Sequence, residues 1–341
     1  MAITLVVLYH VALFGFTLPY RVDRFGWIGV DLFFVLSGYL IGGQLLAALA
    51  RGAPIHLARF YWRRALRILP AFLVVIAIYL VLPQLREFST MPPVWKFLSF
   101  TQNFGLRGGT AFSHAWSLCI EAQFYLVLPL VLVGLARAHK ARIALPIALL
   151  IGGIAIRAVF AHANVASAQP SFAYWQKFIY YPTYARLDPL IVGVSLAAVR
   201  VSQPRWWTGL TNASQWLWAP GILAIAFALY LTNDALSVVT CALSFPLIAC
   251  GFGGLLVCAV SPKLPLSRVA VPGATFLASI AYSVYLSHKL AIHFVEGICD
   301  AHAIPRASVS GYLLVLAVIT VVGAALYFAV ERPFLIIRQR R

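Results

Sequence analysis

The chain has 341 residues, of which 62% are apolar and 10% charged, and its net charge is +17. Soluble domains run at roughly 45–50% apolar, and one of this length could not keep so much apolar surface out of water. The basic residues fall in short blocks between apolar runs. That pattern belongs to membrane topology and not to a nucleic-acid face, so the partner implied is a lipid bilayer, with no nucleic acid.

Apolar runs able to cross about 30 Å of hydrocarbon predict an all-α fold, a polytopic membrane helix bundle of about ten transmembrane helices. They lie at about 3–19, 26–50, 66–83, 116–136, 142–162, 184–200, 214–231, 236–260, 275–296 and 310–330. Lys and Arg concentrate in every second connection: Arg51 to Arg67, then Arg137, Lys140 and Arg142, then Arg200 and Arg205, then Lys263 and Arg268, and finally the tail from Arg332 to Arg341. The alternate connections, with Arg21 and Arg107, hold fewer. Both termini are therefore expected on the cytoplasmic side. Asp31, Glu121, Arg186 and Asp188 then fall toward the outer surface, and the arginine block toward the inner one.

In the first span, His10 is the one ionisable side chain in an apolar run, "LVVLYHVALF". A neutral imidazole there suits a general base toward a hydroxyl; a packing hydrogen bond to a neighbouring span is the plainer alternative. At the head of the second span, Asp31 is expected either to pair with Arg186 or to polarise an acceptor. Ser37 reads as a packing residue, beside Gly38 and Gly42, whose spacing lets another helix approach closely.

The third run opens with "RFYWRRALRILPAF" (59–72). Arg67 shares a helix face with Arg63 or with Arg64. Guanidinium groups so placed suit phosphate, or form a stop-transfer cluster against anionic lipid. The short segment 94–106 is expected to be re-entrant or interfacial. In "SHAWSLCIEAQFYLVLPL" (113–130), Ser117, Glu121 and Tyr125 recur every four residues as one polar stripe. Glu121 is placed to orient an imidazole, to accept a sugar hydroxyl, or simply to bond a neighbouring helix. Trp116, at the span head, reads as an interface anchor.

Arg186 and Asp188, two apart, do not face each other on a helix and should meet different partners. The stretch 279–294, with Ser283, Ser287, His288 and Lys289, lines either a helix contact or a cavity. Cys119, Cys241, Cys250, Cys258 and Cys299 are scattered without metal-ligand spacing and read as small packing residues. No P-loop, HExxH or GxSxG motif is present.

The stretches "VVLYH" (6–10), "GWIGVDLFFVLSGYLI" (26–41), "FYWRRALRILPAF" (60–72), "HAWSLCIEAQFYLVLPL" (114–130), "ARLDPLIVGV" (185–194), "IAYSVYLSHKL" (280–290) and "ERPF" (331–334) together resemble the acyltransferase-3 family of integral membrane acyltransferases. The resemblance covers essentially all of 1–341, as a single acyltransferase-3 transmembrane domain. It implies an O-acyltransferase that takes an acyl group, commonly acetyl, from cytoplasmic acyl-CoA (acetyl-CoA) and places it on a hydroxyl of a cell-surface or exported carbohydrate or related acceptor. It implies a multi-pass protein of the bacterial inner membrane and no metal. The family's histidine carries over to His10, its Arg-x-x-Arg pair to Arg64 and Arg67, and its acidic positions to Asp31 and Glu121. Two departures stand out. The arginine usually found eleven residues before the histidine would fall ahead of Met1, and Ala122 occupies the place of a second acid beside Glu121.

On this reading CoA phosphates dock at Arg63, Arg64 and Arg67. The acceptor enters from outside past Asp31, Glu121 and Arg186, with Trp116, Ser117, Tyr125 and Asp188 as further contacts. His10 takes the hydroxyl proton as the hydroxyl attacks the thioester, or aids a covalent relay. The alternative class is a polysaccharide or lipid-linked-sugar transporter, which would need intramembrane charge and a cavity but no histidine above an arginine block.

Overall fold

A computed structural model describes residues 1–17, 22–135, 138–264 and 271–340. Arg21, Arg137, Arg268 and Arg341, which enter the orientation argument, lie outside the described residues. Within them the regular structure is helical throughout, as backbone groups facing hydrocarbon require.

Helix α1 (Ala2–Leu13) is short, and the chain turns at Gly15, which takes φ of 86°. A 3-10 turn (Val22–Ile28) leads into α2 (Gly29–Ala50). Helix α3 (Leu57–Val81) begins nine residues before the expected run, so the whole arginine block is helical. The short α4 (Val94–Leu98) and an irregular segment precede α5 (Trp116–Gly134). Phe97 of α4 is fully buried and stacks on Phe112, at 5.5 Å between ring centroids, so this segment packs inward. Then come α6 (His139–Val165), the single turn α7 (Phe172–Trp175), α8 (Asp188–Ser202), α9 (Pro204–Asn212), α10 (Ser214–Leu231) and α11 (Val238–Val260). Helix α12 (Ala274–Ala301) pairs with α13 (Val309–Leu326), which runs through a π-turn (Tyr327–Glu331) into α14 (Arg332–Arg340).

The ends of these helices obey local chemistry. Ser237 and Ser308 cap α11 and α13 by accepting the backbone N–H of Thr240 and Gly311. Pro189 sits in the first turn of α8, where its missing N–H costs nothing.

Among the described residues, seven helices are long and apolar enough to cross a membrane: Phe25–Ala50, Leu57–Val81, Ser113–Gly134, Lys140–Val165, Ser214–Asp234, Val238–Val260 and Val309–Gln339. The expected spans 3–19, 184–200 and 275–296 do not meet that measure. Helix α1 has 12 residues and α8 has 15, about 18 and 22 Å at 1.5 Å per residue. Helix α12 has the length, 28 residues, but its middle carries Ser283, Ser287, His288 and Lys289. These three elements trade apolar length for the polar groups of the interior.

The tightest crossing joins α2 and α8. A Cβ on Gly38 would stand 2.2 Å from the Leu190 carbonyl oxygen, and one on Gly193 would stand 2.2 Å from that of Val35. Gly42 meets Val194 in the same seam. The small-residue spacing read from 38–42 thus has its partner, and the close approach brings Asp31 and Arg186 together. Helix α1 lies across the start of α2 and against α12, which carries His10 to the centre of the bundle.

Candidate active site

Among the described residues, two neighbouring cavities bear on the site. The larger, about 1570 Å³, is lined by Arg51, Arg59, Arg63, Arg64, Arg67, Arg200 and Arg338, with Glu121 as the one carboxylate among the lining residues. The smaller, about 720 Å³, is lined by His10, Ser113, His114, Lys289 and a set of rings that includes Trp27, Trp116, Trp175, Tyr180 and Tyr181. Val6 and Val30 line both. The wall between the cavities is therefore thin. On α5 it falls between adjacent residues, Trp116 on one side and Ser117 on the other.

At the basic cavity, Arg64 donates to the Gln44 side-chain oxygen at 3.2 Å and lies over the rings of Phe60 and Tyr125. Arg67 stands 3.9 Å from Glu331 of the closing "ERPF" stretch, whose other oxygen accepts from Ser283 at 2.7 Å. The π-turn before α14 thus braces α3, and α14 brings Arg338 to the same mouth. Deeper in, Ser37 donates to Glu121 at 2.7 Å and lies 2.6 Å from the Tyr125 hydroxyl, which donates to the same carboxylate. From sequence, packing is the favoured reading of Ser37. It instead completes a buried triad, because α2 crosses α5 at the level of the polar stripe. Ser117, one turn earlier on that stripe, bonds the Tyr285 hydroxyl at 2.7 Å, and Tyr285 donates to the His114 carbonyl oxygen.

At the second cavity, three imidazoles converge. The ring centroids of His10 and His288 are 4.8 Å apart, and those of His288 and His114 are 4.6 Å apart. Nδ1 of His10 lies 2.9 Å from the Val6 carbonyl oxygen and 3.2 Å from Nε2 of His288. A carbonyl only accepts, so Nδ1 carries the proton and the lone pair of His10 sits on Nε2, an assignment made from its bonding partners. This is the tautomer a general base needs. Below the rings, Lys289 donates to Ser113 at 3.0 Å and lies 3.8 Å from Glu87. Glu87 accepts from Tyr79 at 2.9 Å and from the Phe112 backbone N–H at 3.0 Å. Phe112 has φ of 56°, strained for a side chain of its size. The Glu87 bond holds that turn and so places Ser113 and His114.

The expected outer acids do not share one open chamber. Asp31 and Arg186 form an ion pair at 2.9 Å with neither side chain exposed, and the guanidinium lies 3.9 Å from the Phe245 ring centroid, between Tyr180 and Trp116. Of the two readings of Asp31, pairing is the one found. Asp188 pairs bidentately with Arg157 of α6, at 2.6 and 2.9 Å, so Arg186 and Asp188 do meet different partners. Glu121 belongs to the basic cavity and not to the outer path, because the polar stripe of α5 turns toward α2 and α3. Trp116 is no interface anchor: it is buried against Phe34, Tyr180 and Tyr181, since the segment before α8 folds over the head of α5. Burial pushes the phenols of Tyr180 and Tyr181 upward, so both are neutral. His114 and His288 were not singled out as site residues. The signal for His288 was present, an ionisable ring in mid-span beside Lys289, but its partner lies 278 positions away.

The profile of the acyltransferase-3 family, described as an acyltransferase domain, matches residues 1–329. A Staphylococcus aureus (strain COL) protein provisionally named an O-acetyltransferase is 25% identical over 330 residues, 91% of this chain and 52% of that protein. The peptidoglycan O-acetyltransferase OatA of Listeria monocytogenes is 32% identical over 208 residues, 55% of this chain and 32% of its own length. The O-acetyltransferase OatA of Staphylococcus aureus (strain NCTC 8325 / PS 47) is 29% identical over 191 residues, 51% of this chain and 30% of that protein. The chain spans about half the length, or less, of these relatives. No solved structure matches it.

Proposed function

The chain belongs to the acyltransferase-3 family, and from that premise we propose that it is a membrane O-acetyltransferase moving acetyl from cytoplasmic acetyl-CoA to a hydroxyl of a cell-surface or exported carbohydrate. The observation that carries this reading is the meeting of the two cavities at Val6 and Val30, with arginines lining one and His10 in the other. CoA presents phosphate groups, which guanidinium groups bind in fork geometry. Seven arginines with one buried carboxylate suit that end of the donor. The narrow thioester arm then passes the valines toward His10. In the second cavity, aromatic walls with a few polar groups suit a sugar, whose apolar faces stack on rings while its hydroxyls bond.

In the proposed reaction the acceptor hydroxyl attacks the thioester carbonyl as Nε2 of His10 takes its proton. The tetrahedral centre collapses, the carbon–sulfur bond breaks, and His10 returns the proton to the CoA sulfur. Asp31 with Arg186 and Asp188 with Arg157 stand outside both openings and fix α2, α6 and α8. Glu121, Ser37 and Tyr125 form the inner end of the donor cavity. Both termini face the cytoplasm of a bacterium in this proposal, and 1–341 acts as one domain in its inner membrane.

The test is transfer from radiolabelled acetyl-CoA to peptidoglycan fragments by protein in vesicles. General-base help contributes about 10²–10⁴-fold, so His10→Ala should lose at least about a hundredfold. Undiminished transfer by that variant would remove His10 from the chemistry.

A further inference from the structure

The base of a proton transfer needs more than a lone pair; its ring must be held while it becomes a cation. In this chain the holding group comes from α12. His288 is fully buried. Its Nδ1 lies 2.8 Å from the Tyr285 carbonyl oxygen and 3.3 Å from that of Val284, so Nδ1 carries the proton and donates. Its Nε2 therefore bears a lone pair, and that atom is 3.2 Å from Nδ1 of His10. His10 donates in turn to Val6 and to His288, and the two rings form a directed chain: His10 to His288, His288 to the α12 backbone.

We propose that His288 is the positioning residue for His10. It accepts the Nδ1–H bond that orients the ring, and that bond strengthens when His10 becomes an imidazolium, because a charged donor makes a shorter and stronger bond. A buried carboxylate in this place would hold the cation by charge. A neutral imidazole holds it through this charge-assisted bond, against the positive charge of Lys289, next along the helix, which opposes a cation at the rings. His114 closes the far side. Its Nε2 lies 3.3 Å from the Leu286 carbonyl oxygen, and its ring packs edge-on against that of His288. Val6 alone cannot substitute. It sits one turn away on the same helix as His10 and moves with it, whereas His288 ties the base to a second helix, the one that also carries Tyr285 at the wall between the cavities.

This rests on the acetyl-transfer reading, and the test has an arm that does not. In the radiolabelled acetyl-CoA assay with peptidoglycan fragments, His288→Leu should lower kcat about 10- to 100-fold, part of the base's contribution, with KM for acetyl-CoA unchanged. His288→Gln, which returns an acceptor near the Nε2 position, should recover most of the loss. A leucine variant within twofold of the unaltered protein, or a glutamine variant no better than leucine, overturns the proposal. The second arm follows the nitrogen resonances of 15N-histidine-labelled protein in nanodiscs, with His10 assigned through His10→Ala. Nδ1 of His10 should read as the protonated nitrogen and should shift in His288→Leu. If it does not shift, His288 does not hold His10, whatever the chemistry. If the unaltered protein transfers no acetyl but the resonance does shift, the acetyl-transfer reading fails while the histidine pair stands.

Discussion

His10 combines two properties that apolar surroundings rarely allow together: a fixed tautomer and a lone pair left for chemistry. Both follow from ordinary helix geometry, with a carbonyl one turn back and a second ring from α12. Such a residue is legible from sequence because an ionisable side chain inside a span is costly, at about 2.5–3.5 kcal/mol on insertion scales. The arginine block was legible for a related reason, its density at one end of a run. Arg67 gives a direct test. It lines the basic cavity and leans on Glu331 at 3.9 Å. Arg67→Ala should weaken acetyl-CoA binding about tenfold, roughly the 1.4 kcal/mol that one charge-assisted bond is worth after desolvation, with little change in kcat. Titration of the detergent-solubilised protein checks it, and an unchanged affinity would move the donor site elsewhere. What sequence could not disclose were the partners. Ser37 looked like a packing residue because its neighbours are glycines, and nothing local says that Glu121 and Tyr125 lie across from it. Trp116 looked like an interface anchor because an amphipathic ring at a span head usually is one; here a connection 60 residues later covers it.

At the scale of elements, the seam between α2 and α8 governs the rest. Its glycines let two backbones touch, and the contact sets the register that seats Asp31 against Arg186 with both side chains sealed. A buried pair of this kind adds little net stability, but breaking it by removing one partner costs about 3–5 kcal/mol. The seam is the more telling place to perturb. Gly38→Ala places a methyl where a carbonyl oxygen stands 2.2 Å away, and overpacking of this sort costs about 1–3 kcal/mol. The thermal midpoint in detergent should fall measurably. Gly152→Ala, on α6 with nothing within 4 Å of the added carbon, should leave the midpoint unchanged or slightly raised. Equal behaviour of the two variants would show that the crossing is looser than described. Long apolar helices were readable from hydropathy. The short α1 and α8, and the polar middle of α12, were readable only as weaker runs, because a site's own needs work against the signal that marks a span.

The whole molecule is a helical membrane protein with a basic chamber and an aromatic chamber separated by two valines and one turn of α5. The proposal that donor and acceptor arrive from opposite sides and meet at His10 rests on this division. Orientation, acceptor and donor sidedness are open to one experiment. The protein is reconstituted in one orientation, acetyl-CoA is supplied only on the face bearing the arginine cavity, and peptidoglycan fragments are enclosed only on the other. The account predicts labelled acetyl on the enclosed acceptor, lost in His10→Ala. Product formed only when both substrates share one face would contradict it.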